Sequence, residues 1–204
     1  MDNLTLTRKA RHLAKELLKK AKENEPPITA DLQNIAREIS AEMVGLENKF
    51  KSEISLIRKI ADTAKASSQE LWQAAERIND TLRYTFILPI ESYTESSRQT
   101  IKHLRKADYQ VPEYKIWNAW RTIGSDKDRG YRGINITIIS SQKQRFELQF
   151  HTEASFELKT ETHDLYKEAR LTKTLPERRV EIKEIVLKKA AKVEIPKGVK
   201  QWNM

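Results

Sequence analysis

The hydrophobic period changes partway along this chain, and the change bounds what it can fold into. Up to about residue 79, apolar residues recur every three or four positions, as on one face of a helix. From Leu82 the rule becomes alternation: Leu82, Tyr84, Phe86 and Leu88 are separated by Arg83, Thr85 and Ile87 in a β-branched and aromatic run that Pro89 ends. Helices first and strands afterwards read as a single α+β domain, a mixed β-sheet flanked by helices with an N-terminal helical elaboration.

Leu6, Ala10, Leu13, Leu17 and Ala21 predict a first helix. Glu25-Pro26-Pro27 is expected to break it. A second helix is expected after Thr29 as N-cap, carrying Leu32, Ile35, Ile39, Met43 and Leu46, with a stop near Gly45. Two more follow, over 52–66 and 67–79, with Ser52 and Ser68 as candidate caps. After the strand at 82–88, a helix is expected near 91–107 with Ile101 and Leu104 inward. Strands are predicted at 113–120, 131–140 and 144–151, the last two joined by the turn SSQKQ, then helices near 153–170 and 176–194. The expected division is a helical region at 1–46, a main domain at 47–195 and a tail at 196–204.

The chain has 204 residues, enough to bury a real core, and no cysteine, which excludes disulfides, thiol nucleophiles and thiolate metal sites. No run approaches the roughly 20 apolar residues of a membrane span, so the expected site of action is the cytoplasm. A formal charge of +9 favours anionic partners without separating nucleotide, RNA and lipid headgroup.

In KFKSEISLIRK, the residues Lys49, Lys51, Arg58 and Lys59 place four cations around a helix start, where free backbone N–H groups also point outward. Such a cluster is either a phosphate site or a solvated basic face. Asp80, opening DTLRYTFIL, and Glu147, inside RFELQFHT, both sit near strand ends; two carboxylates on neighbouring strands can hold a magnesium ion, or can form structural salt bridges. Tyr131, between Gly130 and Gly133, is either strand packing or a platform for a nucleobase, which the glycines would let approach closely. His163-Asp164 lacks the separated partners of a metal-dependent hydrolase, and no G-x-S-x-G elbow accompanies the serines. Trp117 and Trp120 read as core or rim.

In order from about 46 to 170, these fragments resemble the RelA/SpoT-type alarmone synthetases, with departures like those of divergent toxin-like small synthetases. Lys49, Lys51, Ser55 and Lys59 match the family's ATP-binding signature, GYRGIN resembles NGYRSIH, ELQFHT resembles ExQxRT, and THDLYKEA resembles the stretch after that strand. The departures are Arg83, two residues closer to Asp80 than usual, His151 in place of arginine, and Asn135 in place of histidine.

The resemblance implies a nucleotidyltransferase-like synthetase core that moves the β,γ-pyrophosphate of ATP to the 3′-hydroxyl of a purine nucleotide. It implies Asp80, Glu147 and Arg83 as catalytic residues, magnesium on Asp80 and Glu147, and ATP on Lys49, Lys51, Ser55, Arg58 and Lys59. The acceptor would meet Tyr131, Gln149 and His151. Guanine or adenine nucleotides are the expected acceptors, with the tRNA 3′ end as an alternative that the positive charge favours. A toxin role would bring a neutralising antitoxin or immunity protein, and delivery into a target cell. The rival class is a non-catalytic RNA-binding module, which has no use for two acids beside a polyphosphate site.

Overall fold

The computed structural model describes residues 3–171 and 173–202. Its first helix, α1, runs from Asn3 to Glu38, straight through Pro26 and Pro27. The break expected there does not occur. A proline inside a helix lacks an N–H and crowds the preceding turn, a penalty of about 3 kcal/mol. Packing on both sides of the pair overrides it: Ala10 and Ala14 are buried against the next two helices, and Ile28, Leu32, Ile35 and Ile39 against the sheet. Thr29 therefore caps nothing; it lies inside α1 and shares a 2.7 Å hydrogen bond with the Tyr84 hydroxyl. Leu6 lies outside the residues whose side chains are described.

Met43, expected on a helix face, belongs instead to an edge strand, β1 (Glu42–Val44), antiparallel to β2 (Arg83–Ile87). Leu46 likewise opens a single 3-10 turn, Leu46–Asn48, with Gly45 before it in the left-handed region. The pairing then resumes: Lys51 donates its backbone N–H to Thr81 O at 2.9 Å, and Arg83 donates to Lys49 O at 2.8 Å. This short ladder lays Lys49–Lys51 alongside Thr81–Arg83.

Helix α2 (Glu53–Ser67) opens on Ser52, whose hydroxyl accepts the Ser55 N–H at 3.3 Å, as the sequence predicts. Ser68 is not the next cap. Its N–H is spent on the last carbonyls of α2, which it closes in the left-handed region, so Glu70 opens α3 (Leu71–Glu76) in a capping box with Gln73. Helix α4 (Tyr93–Lys106) buries Ile101 and Leu104 as expected. The strand expected at 113–120 shrinks to β3 (Ile116–Asn118) between two 3-10 turns. β4 (Ile134–Ile139) and β5 (Arg145–His151) form the predicted hairpin. The helix expected over 153–170 is two, α5 (Glu153–Glu161) and α6 (His163–Ala169), separated at Thr162. Helix α7 (Pro176–Ala190) follows.

The strand order is β1-β2-β5-β4-β3, with β2 and β5 parallel and the other neighbours antiparallel. One face carries Tyr84, Phe86, Ile136, Phe146, Leu148 and Phe150 into the main core with α1 and α4. Side chains alternate along a strand, so the intervening residues line the opposite face.

Candidate active site

That opposite face is polar. The register sets Arg83 beside Glu147 beside Thr137, and Thr85 beside Gln149 beside Asn135, which pairs in turn with Trp117. Asp80 lies three residues before β2, where the ladder with Lys49–Lys51 brings Lys51 Nζ to 2.9 Å from its Oδ2. Lys59, two turns into α2, reaches to 2.8 Å from Oδ1. Burial alone would push the Asp80 carboxyl up, but the Lys59 and Lys51 ammonium groups outweigh it and hold it below its ordinary value. Burial pushes Lys51 down despite Asp80, with Arg83 and Lys59 adding to the effect. Cations outnumber acids here, which suits a polyphosphate.

Glu147 is fixed differently, by two neutral amides. Gln149 Nε2 donates to its Oε2 at 2.7 Å and Asn135 Nδ2 to its Oε1 at 3.3 Å. Each amide is oriented by a further donor: Lys159 Nζ donates to Gln149 Oε1 at 2.7 Å, and the Tyr131 hydroxyl to Asn135 Oδ1 at 2.7 Å. Tyr131 also meets His151 Nε2 at 2.9 Å, and His151 Nδ1 meets the Ser155 hydroxyl at 3.0 Å. Ser155 and Lys159 are one turn apart on α5, so the network begins and ends on one helix.

The structure brings Lys51, Lys59, Asp80, Arg83, Glu147 and Gln149 to one end of this face. It does not bring Lys49 there, because that ammonium is turned to Glu25 of α1 at 3.0 Å. Arg58 is exposed on α2, and the Ser55 hydroxyl accepts from Ser52 at 2.9 Å. His151 is fully enclosed; burial, with Lys159 adding, pushes its pKa down to about 3, so it is a neutral support for Tyr131. Burial pushes the Tyr131 phenol well above its ordinary value, and Glu147 adds to this. Trp117 stacks on the Tyr131 ring at 5.1 Å between centroids and 14° between planes, and is itself 47% exposed. One face of Tyr131 is therefore covered. Nor do the flanking glycines leave room for a ligand: a Cβ on Gly130 would lie 2.4 Å from Val186 Cγ1, and one on Gly133 3.0 Å from His151 Cε1.

Beside Glu147 lies an open cavity of about 350 Å³, whose walls include Asn79, Tyr114, Trp117, Asn135 and Thr137. Ligand sites run from about 300 to 1,000 Å³, so this one lies at the small end of that range. Sequence reasoning missed Asn79, Asn135 as a ligand of Glu147, and Lys159. Alternation along 131–140 is the signal that could have set Asn135 on the polar face, whereas Lys159 approaches from a helix whose docking no local pattern encodes.

The chain matches no protein-family model and no curated relative. Solved structures do resemble it. The small alarmone synthetase 2 of Bacillus subtilis superposes with a TM-score of 0.57 at 16% identity, over 87% of this chain and 90% of that one. The Type VI effector Tas1, solved with its immunity protein, gives 0.54 at 16%, over 87% and 94%. A GTP pyrophosphokinase family protein from Streptococcus pneumoniae gives 0.54 at 16%, over 85% and 88%. At such identity the likeness establishes the fold, and it is the synthetase fold that the sequence resemblance implies.

Proposed function

We propose that the chain is a pyrophosphokinase that transfers the β,γ-pyrophosphate of ATP to the 3′-hydroxyl of a purine nucleotide. One observation carries the reading: Asp80, gripped by two lysines, and Glu147, held by two amides, lie at one end of a single polar sheet face. Structural salt bridges account for Asp80 but leave Glu147 without a cation within ion-pair reach among the described residues.

Each Asp80 oxygen is met by a lysine, Lys51 on Oδ2 at 2.9 Å and Lys59 on Oδ1 at 2.8 Å, so a metal ion would have to share those oxygens or draw the ammonium groups onto the phosphates. Asp80 and Glu147 would hold magnesium, which when bound would neutralise charge on the phosphates. Lys51, Lys59 and Arg83 would grip and align the polyphosphate, and Glu147 would take the proton of the attacking 3′-hydroxyl. The acceptor base fits the cavity bounded by Trp117, with Tyr131 supporting that ring from behind.

Similarity to an effector solved with an immunity protein supports a growth-inhibiting toxin that acts in the cytoplasm of a target cell and is neutralised by a partner protein. Transfer to the tRNA 3′ end is the second reading, favoured by the charge of +9. Incubation with labelled ATP, magnesium and separately GDP, GTP, ADP, ATP or bulk tRNA tests both. The expected result is label on a mononucleotide, abolished by Glu147→Gln. Label on tRNA alone selects the second reading, and turnover of Glu147→Gln within about tenfold of wild type removes Glu147 from the chemistry, since that is only about 1.4 kcal/mol of barrier.

A further inference from the structure

Lys159 stands apart from the site's other lysines. Lys51 and Lys59 share Asp80, and Lys49 has Glu25. Among the described residues, Lys159 has no carboxylate within ion-pair reach: its ammonium donates to the neutral Gln149 Oε1 at 2.7 Å and lies 5.2 Å from the Phe156 ring centroid. An ammonium carries three donors, so two remain unspent on a half-buried side chain at the edge of the polar face. The guanidinium of Arg83, on the neighbouring β2, likewise has no hydrogen bond or ion pair among the described residues, and its charge acts on Lys159. His163, at the start of α6, feels both cations.

We propose that Lys159, next to Arg83, adds a further phosphate-binding position to this site, beyond the lysine pair on Asp80, and holds a phosphate of a bound nucleotide. A half-buried cation with no carboxylate in ion-pair reach raises the energy of the empty protein, and an anion arriving there removes that cost and gains charge-assisted hydrogen bonds. Burial, with Arg83 adding and Glu147 opposing, pushes the Lys159 pKa down to about 8, in keeping with a site short of negative charge. The phosphate comes either from the donor triphosphate or from the 5′ chain of the acceptor; that the nucleotides are ATP and GDP rests on the pyrophosphokinase reading, whereas anion binding does not. The alternative is that Lys159 acts only through Gln149, fixing the amide so that its N–H faces Glu147.

The test is calorimetry on full-length wild type, Lys159→Met and Lys159→Arg, each titrated separately with inorganic pyrophosphate, ATP and GDP, alongside steady-state turnover. Lys159→Met is expected to weaken pyrophosphate and one nucleotide by about tenfold or more, while Lys159→Arg, which keeps the charge, stays within about threefold. Loss confined to ATP assigns the subsite to the donor; loss confined to GDP assigns it to the acceptor. Binding of all three probes by Lys159→Met within about twofold of wild type overturns the proposal, and a fall in kcat alone then places Lys159 behind Gln149. Failure of wild type to bind any probe overturns it equally. Lys159-dependent binding without transfer activity keeps the subsite and removes the pyrophosphokinase reading.

Discussion

A cation held for a ligand should weaken the empty protein, and Lys159→Met measures by how much. Burial holds this lysine near pH 8 instead of 10.5, so carrying its proton at pH 7 costs the folded state about 3 kcal/mol. Methionine keeps most of the stem and removes the charge. It also removes the hydrogen bond to Gln149, worth about 1 kcal/mol, so the expected net gain is about 2 kcal/mol at pH 7. The sign of the pH dependence follows from the lowered folded-state value. Between about 8 and 10.5 the unfolded chain binds more protons than the folded one, so wild-type stability rises with pH across that window. The advantage of the variant should therefore be full below pH 8 and shrink toward pH 10. Urea unfolding at pH 7 and 9.5, compared through midpoints at constant m, reads both effects. A variant less stable than wild type at pH 7, with a difference that does not change by pH 9.5, would refute the reasoning.

Pro26→Ala with Pro27→Ala restores two N–H groups to an exposed stretch of α1 and should raise stability by at least about 1 kcal/mol in the same assay; no gain would mean that the helix is adapted to its prolines. Gly130→Ala should lose about 2 kcal/mol or more, since the new Cβ meets Val186 at 2.4 Å and φ is +74°, and an unchanged midpoint would contradict that packing. Asp80→Asn strands two lysines and should cost about 2 kcal/mol at pH 7. Because the folded-state pKa of Asp80 lies below its ordinary 3.8, that contribution is complete above pH 3.8 and lost as pH falls through the lowered value, so the two unfolding curves should converge in acid.

What the sequence disclosed was what single strands and caps encode. Alternation at Tyr84 and Phe86 located β2, Ser52 announced its helix, and Asp80 falls just ahead of β2 with Glu147 on the adjoining β5, because both sit near the starts of buried runs. Local rules failed where tertiary packing decides. Pro26 and Pro27 punctuate any isolated peptide, but here two cores grip the same helix on either side of them. Ser68 offers the same hydroxyl as Ser52, yet its backbone was already committed to the helix behind it. His151 keeps its position in the motif and loses its access, because burial against Ser155 and Tyr131 depends on how α5 docks. The carboxylates were legible, as was Gln149, two residues from Glu147 on the same strand; Asn135 and Lys159 were not, since Asn135 meets Glu147 through cross-strand register and Lys159 reaches Gln149 through helix placement rather than through spacing.

The hydrogen bonds around Glu147 have a polarity. From Lys159 through Gln149 on one side, and from Tyr131 through Asn135 on the other, every donor points inward, and the two arms converge on the carboxylate with one N–H per oxygen. A proton landing on Glu147 finds those two directions occupied and must settle on a remaining lone pair. Neither arm can carry it onward, because an amide N–H already fills each path and turning one amide would set its NH2 against the donor at its far end, the Lys159 ammonium or the Tyr131 hydroxyl. On the pyrophosphokinase reading, what Glu147 takes from a hydroxyl would therefore return to whatever occupies the adjoining cavity, so product and proton would leave through the same opening.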